Sequence, residues 1–142
     1  MIEPTLYSES IGTIAIVADE SSSMSDNMLN MATEQINAII AEWQPQRVLI
    51  VRHTDVIEDV QELSQGVSPE DRQKRAHGGT LFNPVIDFME SESVEVCAWI
   101  TDCYPCDHVQ DTQVPIIWLG TEYGSDYAHQ RYNLGGDFVS IA

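Results

Sequence analysis

A continuous apolar run followed at once by an acidic, hydroxyl-rich turn is the feature that most constrains the fold of this chain. Residues 14–18 form the run, within a predicted strand over residues 13–18, and such a run is typical of a strand buried on both faces. The turn has the sequence DESSS at residues 19–23. Ser25 is a favourable helix N-cap, and apolar side chains then recur at helical spacing until Pro45 ends the pattern. The sequence therefore begins with a strand, a polar turn and an amphipathic helix.

The rest of the chain repeats this alternation of strands and helices. Residues 82–90 are predicted to form a second helix, with Pro84 tolerated in its first turn. Further strands are predicted over residues 47–53, 56–60, 94–100, 114–119 and 137–141, the last of them at an edge of the sheet. Strands that alternate with helices indicate an α/β fold with a mostly parallel central sheet.

Polar side chains follow two of the predicted strands directly. Asp19 comes after the first strand, and Thr101 and Asp102 come after the strand over residues 94–100. In open parallel sheets, ligands bind beyond the carboxyl ends of the strands, where the strand order reverses. If these two strands are neighbours at that point, both carboxylates converge on one crevice. The loop over residues 78–80 enters the helix that leads to the second strand, so it can reach the same crevice.

The residue types at this crevice suit a hard divalent cation. The predicted ligands supply carboxylate and hydroxyl oxygens, and they are Asp19, Ser21, Ser23, Thr80 and Asp102. Magnesium prefers six oxygen ligands at about 2.0–2.1 Å and keeps several waters, and Mn²⁺ or Ca²⁺ are compatible alternatives. Because most of these oxygens are neutral, the cation attracts one more anionic ligand. A carboxylate from a partner protein meets that need.

Several longer segments extend the pattern beyond the predicted ligands. The first contains D-x-S-x-S, the second reads GGTLFNP, the third contains T-D-x-Y, and the last is a P-V-x-W-like strand. These segments cover residues 14–25, 77–88, 99–105 and 114–119. Together they resemble the von Willebrand factor A (VWA)-like domain at the C-terminus of a family of predicted metallopeptidase-like proteins. The resemblance covers residues 12–142 and leaves residues 1–11 as an N-terminal lead-in.

The resemblance implies a Rossmann-like, three-layer α/β/α VWA fold and a metal-ion-dependent adhesion site (MIDAS) that holds Mg²⁺. It implies the same five ligands: Asp19, Ser21, Ser23, Thr80 and Asp102. Ser22 stands where the family usually has glycine, which leaves the ligands intact. The zinc-protease H-E-x-x-H motif of the long family members is absent, so no peptidase activity is carried over and no enzyme is expected.

The family association also suggests partners for the domain. VWA domains of similar proteins often work beside AAA+ ATPases of the MoxR type, as adaptors that recruit substrates. A domain of this size also fits a phage-encoded binding protein. In either setting, the partner is expected to donate an Asp or Glu carboxylate to the metal. The expected rim of the site includes Glu20, Asp26, His77, Tyr104 and the basic cluster of Arg72, Lys74 and Arg75.

The charge balance limits the possible partners further. Twenty-three acidic residues face six basic ones, a formal net charge of −17. Such a surface repels nucleic acid and anionic membranes and favours basic partners. It serves solubility, or it mimics the charge of DNA in an acidic decoy or inhibitor. No apolar stretch reaches membrane-spanning length and no secretory signal is evident, so the expected location is the cytoplasm of a bacterium or of a phage-infected cell.

Catalytic alternatives find less support in the sequence. A metal-dependent hydrolase is the third hypothesis, but no G-x-S-x-G or phosphate-binding loop is present. His53 and Asp55 form either an acid–base pair or a polar strand end. Cys103 and Cys106 have C-x-x-C spacing without a second ligand pair for zinc. Cys97 lies inside a predicted strand and is expected to be a buried thiol.

Overall fold

The computed structural model describes residues 12–20, 26–63, 79–120 and 125–140. Within these ranges, strands and helices alternate along most of the chain. The strands are β1 (Thr13–Asp19), β2 (Arg47–His53), β3 (Ile57–Leu63), β4 (Val96–Thr101), β5 (Ile116–Gly120) and β6 (Asp137–Ser140). The helices are α1 (Asp26–Trp43), α2 (Asn83–Ser91) and α3 (Ser125–Arg131). The predicted lead-in over residues 1–11 lies outside the described residues.

All six strands form a single sheet in the order β3-β2-β1-β4-β5-β6. Five strands are parallel, and β3 runs antiparallel to β2 at one edge. The chain moves from β1 towards β2 on one side and from β4 towards β5 and β6 on the other. The strand order therefore reverses between β1 and β4, where Ala18 pairs with Ile100. The predicted switch point is confirmed.

The two faces of the sheet are covered by different helices. Ile39, Ile40 and Trp43 of α1 pack on one face, against a core that includes Ile16 of β1. On the other face, α2 and α3 pack against a core that includes Val17 of β1. Because neighbouring residues of β1 point to opposite, covered faces, the strand needs apolar side chains at every position. The predicted Rossmann-like α/β/α arrangement is confirmed.

Most predicted elements lie within about three residues of those in the structure, a normal uncertainty for element ends. Helix α3 was not predicted, because only Ser125 and Ala128 of its seven residues are buried and no apolar stripe marks it. In the described part of the chain, none of the helices combines the length and the apolar character needed to cross a membrane.

Candidate metal centre

The ends of β1 and β4 carry two buried carboxylates at the switch point. Asp19 is the last residue of β1 and is fully buried, and Asp102 directly follows β4 and is 2% exposed. The Thr101 hydroxyl donates a hydrogen bond to Asp19 Oδ2 at 2.6 Å and accepts one from the Cys103 backbone N–H at 3.1 Å. Asp102 Oδ1 accepts a hydrogen bond from the Tyr104 N–H at 3.2 Å. The last residue of β4 therefore orients Asp19, and the loop after β4 orients Asp102.

Thr80 lies in a loop that contacts the ends of two strands. Its carbonyl accepts a hydrogen bond from the Cys106 N–H at 2.7 Å, in the loop after β4. The N–H of Leu81 donates to the carbonyl of Thr54, just after β2, at 3.0 Å. Thr80 itself is buried. The structure thus brings Thr80, Asp19 and Asp102 to the same edge of the sheet, whereas Ser21 and Ser23 lie outside the described residues.

Asp107 joins the loop after β4 to the first turn of α2. Its carboxylate accepts hydrogen bonds from the N–H of Phe82 at 3.0 and 3.1 Å and from the N–H of Asn83 at 2.8 Å. A carboxylate at a helix N-terminus also interacts favourably with the helix dipole. Asn83 Nδ2 in turn donates to the His108 carbonyl at 2.8 Å. These contacts fix the loop that carries Asp102 against the loop that carries Thr80.

The pKa of Cys103 is affected by the negative charges at the ends of β1 and β4. Burial, with the charges of Asp102 and Asp19, raises the pKa of the Cys103 thiol to about 12. Cys103 is therefore a neutral thiol at pH 7, and its backbone has a positive φ of 69°. Cys103 is buried, Cys106 is exposed and both are free, so the C-x-x-C pair forms no disulfide here. Cys97 is a buried thiol, as predicted.

His53, at the end of β2, is fully buried directly beneath this edge. The Trp99 indole N–H donates to His53 Nε2 at 3.1 Å, and an indole nitrogen cannot accept. His53 Nδ1 must then carry the proton, which it donates to the Thr54 carbonyl at 3.1 Å. Burial lowers the pKa of His53, although the charge of Asp19 opposes the shift. Both ring nitrogens are occupied, so the contacts favour a structural role over an acid–base pair with the exposed Asp55.

The hydrogen bond between Trp99 and His53 gives a testable difference between two buried tryptophans. Both Trp99 and Trp118 are fully buried, but Trp118 Nε1 has no hydrogen-bond partner in the described part of the chain. Trp99→Phe leaves His53 Nε2 buried without a donor, whereas Trp118→Phe breaks no hydrogen bond. We expect Trp99→Phe to lower the free energy of unfolding by about 1–3 kcal/mol more than Trp118→Phe, measured by urea denaturation. Equal losses would contradict this account of His53.

Glu20 does not lie at the rim of the site, so this prediction from the sequence is wrong. Its side chain is 2% exposed, and its carboxylate lies 3.6 Å from Nε of the buried Arg52. Arg52 Nη1 also lies 3.7 Å from Asp59 in β3. Tyr104 is 43% exposed, as expected for a rim residue. His77 and the basic cluster of Arg72, Lys74 and Arg75 lie outside the described residues.

The full ligand set remains a prediction from the sequence. Over residues 12–20, 26–63, 79–120 and 125–140, no group of three or more His, Cys, Asp or Glu side chains is arranged to hold a metal ion. The predicted set contains only two side chains of these types, and its other members are hydroxyls. The two buried carboxylates and the nearby Thr80 are hard oxygen donors of the kind that Mg²⁺ prefers.

A six-stranded α/β sheet of this order, with acidic residues at the strand ends beside the switch point, has the architecture of a VWA-like domain. Residues 14–129 match the family model described as "VWA-like domain (DUF2201)", so the chain belongs to that family. The resemblance seen in the sequence is confirmed.

Solved structures add only a distant similarity. The crystal structure of the ArnB paralog VWA2 from Sulfolobus acidocaldarius matches with 18% sequence identity and a TM-score of 0.47. The match covers 79% of this chain but 35% of that protein, so the chain spans about a third of its length. None of the curated proteins matches the sequence significantly.

Proposed function

We propose that this VWA-like domain binds a protein partner through a divalent cation, Mg²⁺, held by Asp19, Ser21, Ser23, Thr80 and Asp102. Family membership supports a general protein-interaction module. The observation that carries the finer proposal is the burial of Asp19 and Asp102 at adjacent strand ends beside the switch point. Carboxylate oxygens are hard ligands that suit a divalent cation such as Mg²⁺. Mn²⁺ or Ca²⁺ would suit the same oxygen ligands.

The chain's own residues perform three tasks in this proposal. Asp19 and Asp102 supply the negative charge that attracts the cation, and the hydroxyls supply neutral oxygens. The hydroxyl of Thr101 and the N–H of Tyr104 orient the two carboxylates before the metal binds. When bound, the cation would accept an oxygen ligand from outside the chain. An Asp or Glu carboxylate of the partner fills that role.

The contacts at this edge favour binding over catalysis. A hydrolase would need a base or a nucleophile close to the metal. His53 already uses both ring nitrogens in contacts within the chain. We therefore propose a non-catalytic role. The partner would be a MoxR-type AAA+ ATPase that uses the domain as an adaptor, or the target of a phage-encoded binding protein.

The net charge of −17 favours a second candidate, an acidic decoy that acts through charge alone. Salt separates the two functions, because it screens exposed charges more strongly than a buried metal contact. A decoy would release its partner at high salt and ignore chelators. A metal-bridged complex would behave in the opposite way.

Affinity capture from a host-cell lysate tests the proposal directly. The immobilised domain is incubated with the lysate in Mg²⁺, in EDTA and in Mg²⁺ with high salt. We expect one partner to be retained in Mg²⁺ and lost in EDTA, and lost also with the Asp19→Ala, Ser21→Ala double variant. Glu34→Ala, which removes one exposed charge from α1, is the matched control and should retain the partner. A partner held in EDTA but released by salt would overturn the metal bridge and support the decoy.

A further inference from the structure

A separate cleft lies at the opposite edge of the sheet, where β5 and β6 begin. It has a volume of about 340 Å³ and is bounded by residues 109–116 and by the turn over residues 133–136. Apolar side chains of Ile86, Val114 and Leu134 form part of its wall. Ligand clefts have volumes of about 300–1,000 Å³, so this one suits a compact molecule.

Trp118 gives this cleft a hydrogen-bond donor without an acceptor. Its side chain lines the cleft and is fully buried, and Nε1 has no partner within the described chain. Gly136, which also lines the cleft, lies beside this nitrogen, since a Cβ at that position would be 3.4 Å from Nε1. The same Cβ would lie 2.2 Å from the carbonyl oxygen of Ile116, and the φ of Gly136 is +62°. Glycine thus lets the turn pass close to the indole edge.

An unpaired buried donor is unusual and unfavourable. Leaving a buried N–H unsatisfied destabilises the folded protein, and a ligand oxygen would recover part of that cost. The contrast within this protein is direct, because the neighbouring Trp99 indole, stacked on Trp118 at 4.9 Å between ring centroids, has His53 as its acceptor. The cleft therefore favours a molecule that carries a hydrogen-bond acceptor.

The charges around the cleft are negative and disfavour the binding of anions. Asp111 lines it, and two further carboxylates hold its wall. Glu90 accepts a hydrogen bond from the Thr112 hydroxyl at 2.7 Å, and Asp87 accepts one from Gln110 Nε2 at 2.8 Å. The described residues that line the cleft include no lysine or arginine. A carboxylate or phosphate ligand would meet repulsion here, whereas a neutral carbonyl group would not.

We infer that this cleft binds a compact neutral molecule whose carbonyl oxygen accepts a hydrogen bond from Trp118 Nε1–H. Because Nε1 is buried beside Gly136, the turn over residues 133–136 must move to admit the ligand oxygen. The site uses none of the predicted metal ligands. It lies at the other end of the strands from Asp19. A negative result for this cleft would therefore not contradict the proposed metal-dependent binding.

Nuclear magnetic resonance on the ¹⁵N-labelled protein tests the inference, with EDTA present so that metal binding plays no part. Benzamide is the probe, and benzoate is its charged control of nearly the same shape. The Trp118 indole signal is assigned by its loss in Trp118→Phe. We expect benzamide to shift the indole proton of Trp118 downfield and to saturate at millimolar concentration, about −4 kcal/mol in binding free energy. The indole signal of Trp99 should stay unchanged, and benzoate should bind at least about tenfold more weakly.

Two variants sharpen the test. Trp118→Phe should abolish the benzamide-induced shift of the Gly136 backbone amide. Asp111→Asn removes an exposed charge from the cleft and should strengthen benzoate binding more than benzamide binding. No saturable benzamide shift in the wild-type protein would overturn the site. Benzoate binding as tight as benzamide binding would overturn its preference for neutral ligands.

Discussion

Asp19→Ala is expected to weaken Mg²⁺ binding by at least about 100-fold, which is the upper range for loss of a group that merely orients a ligand. The substitution removes a buried carboxylate from the end of β1, which pairs with β4 at the switch point. It also removes the charge that would offset the cation at this edge. Isothermal titration with Mg²⁺, checked by Mn²⁺ electron paramagnetic resonance, measures the change.

Thr101→Val keeps the Asp19 carboxylate but removes the hydroxyl that orients it. The variant therefore tests whether orientation of Asp19 matters for metal binding. Valine keeps the branched shape of threonine but removes the hydroxyl that donates to Asp19 Oδ2 at 2.6 Å. We expect Mg²⁺ binding to weaken by about 10–100-fold in this variant. Urea denaturation in EDTA verifies that both variants fold, and Glu34→Ala should bind Mg²⁺ like the wild type. Unchanged Mg²⁺ affinity in a folded Asp19→Ala variant would show that Asp19 is not a metal ligand. It would also contradict the proposed metal bridge.

The sequence reveals the strands and the two acidic strand ends because their signals are local. β1 and β2 are covered on both faces, so their apolar runs are continuous and their bounds are readable. Asp19 and Asp102 each follow an apolar run directly. The sequence alone does not show that β1 and β4 are neighbouring strands, although the usual topology of parallel sheets favours that arrangement.

The supporting contacts were not predictable because their partners are distant in sequence. Asp107 caps α2 from 24 positions beyond Asn83, whereas an ordinary N-cap residue precedes its helix directly. His53 and Trp99 are 46 positions apart. Glu20 is buried although acidic residues are usually exposed, and its carboxylate lies close to the buried Arg52 of β2. Long-range partners of this kind leave no periodic signal in a single sequence.

Phe82→Ala is expected to lower the free energy of unfolding by about 3–5 kcal/mol, the usual range for removing a fully buried phenylalanine. The Phe82 ring lies 4.7 Å from the Trp99 ring, 5.5 Å from Trp118 and 5.8 Å from His53, measured between centroids. These large rings are held by neighbouring strands and leave little freedom to fill the cavity. Phe88→Ala is the matched control, because Phe88 lies in α2, the helix that directly follows Phe82, but is only partly buried, and it should cost clearly less. Urea denaturation measures both variants.

The same substitution tests whether the aromatic core supports the proposed metal site. Phe82 lies two positions after Thr80, and its backbone N–H donates to Asp107, in the loop that also carries Asp102. A cavity beneath this residue should loosen both loops together, so the folded fraction of Phe82→Ala should bind Mg²⁺ more weakly than Phe88→Ala does. Equal Mg²⁺ affinities in the two variants would mean that the loops hold their positions without the aromatic core. A stability loss no larger than that of Phe88→Ala would contradict the packing itself.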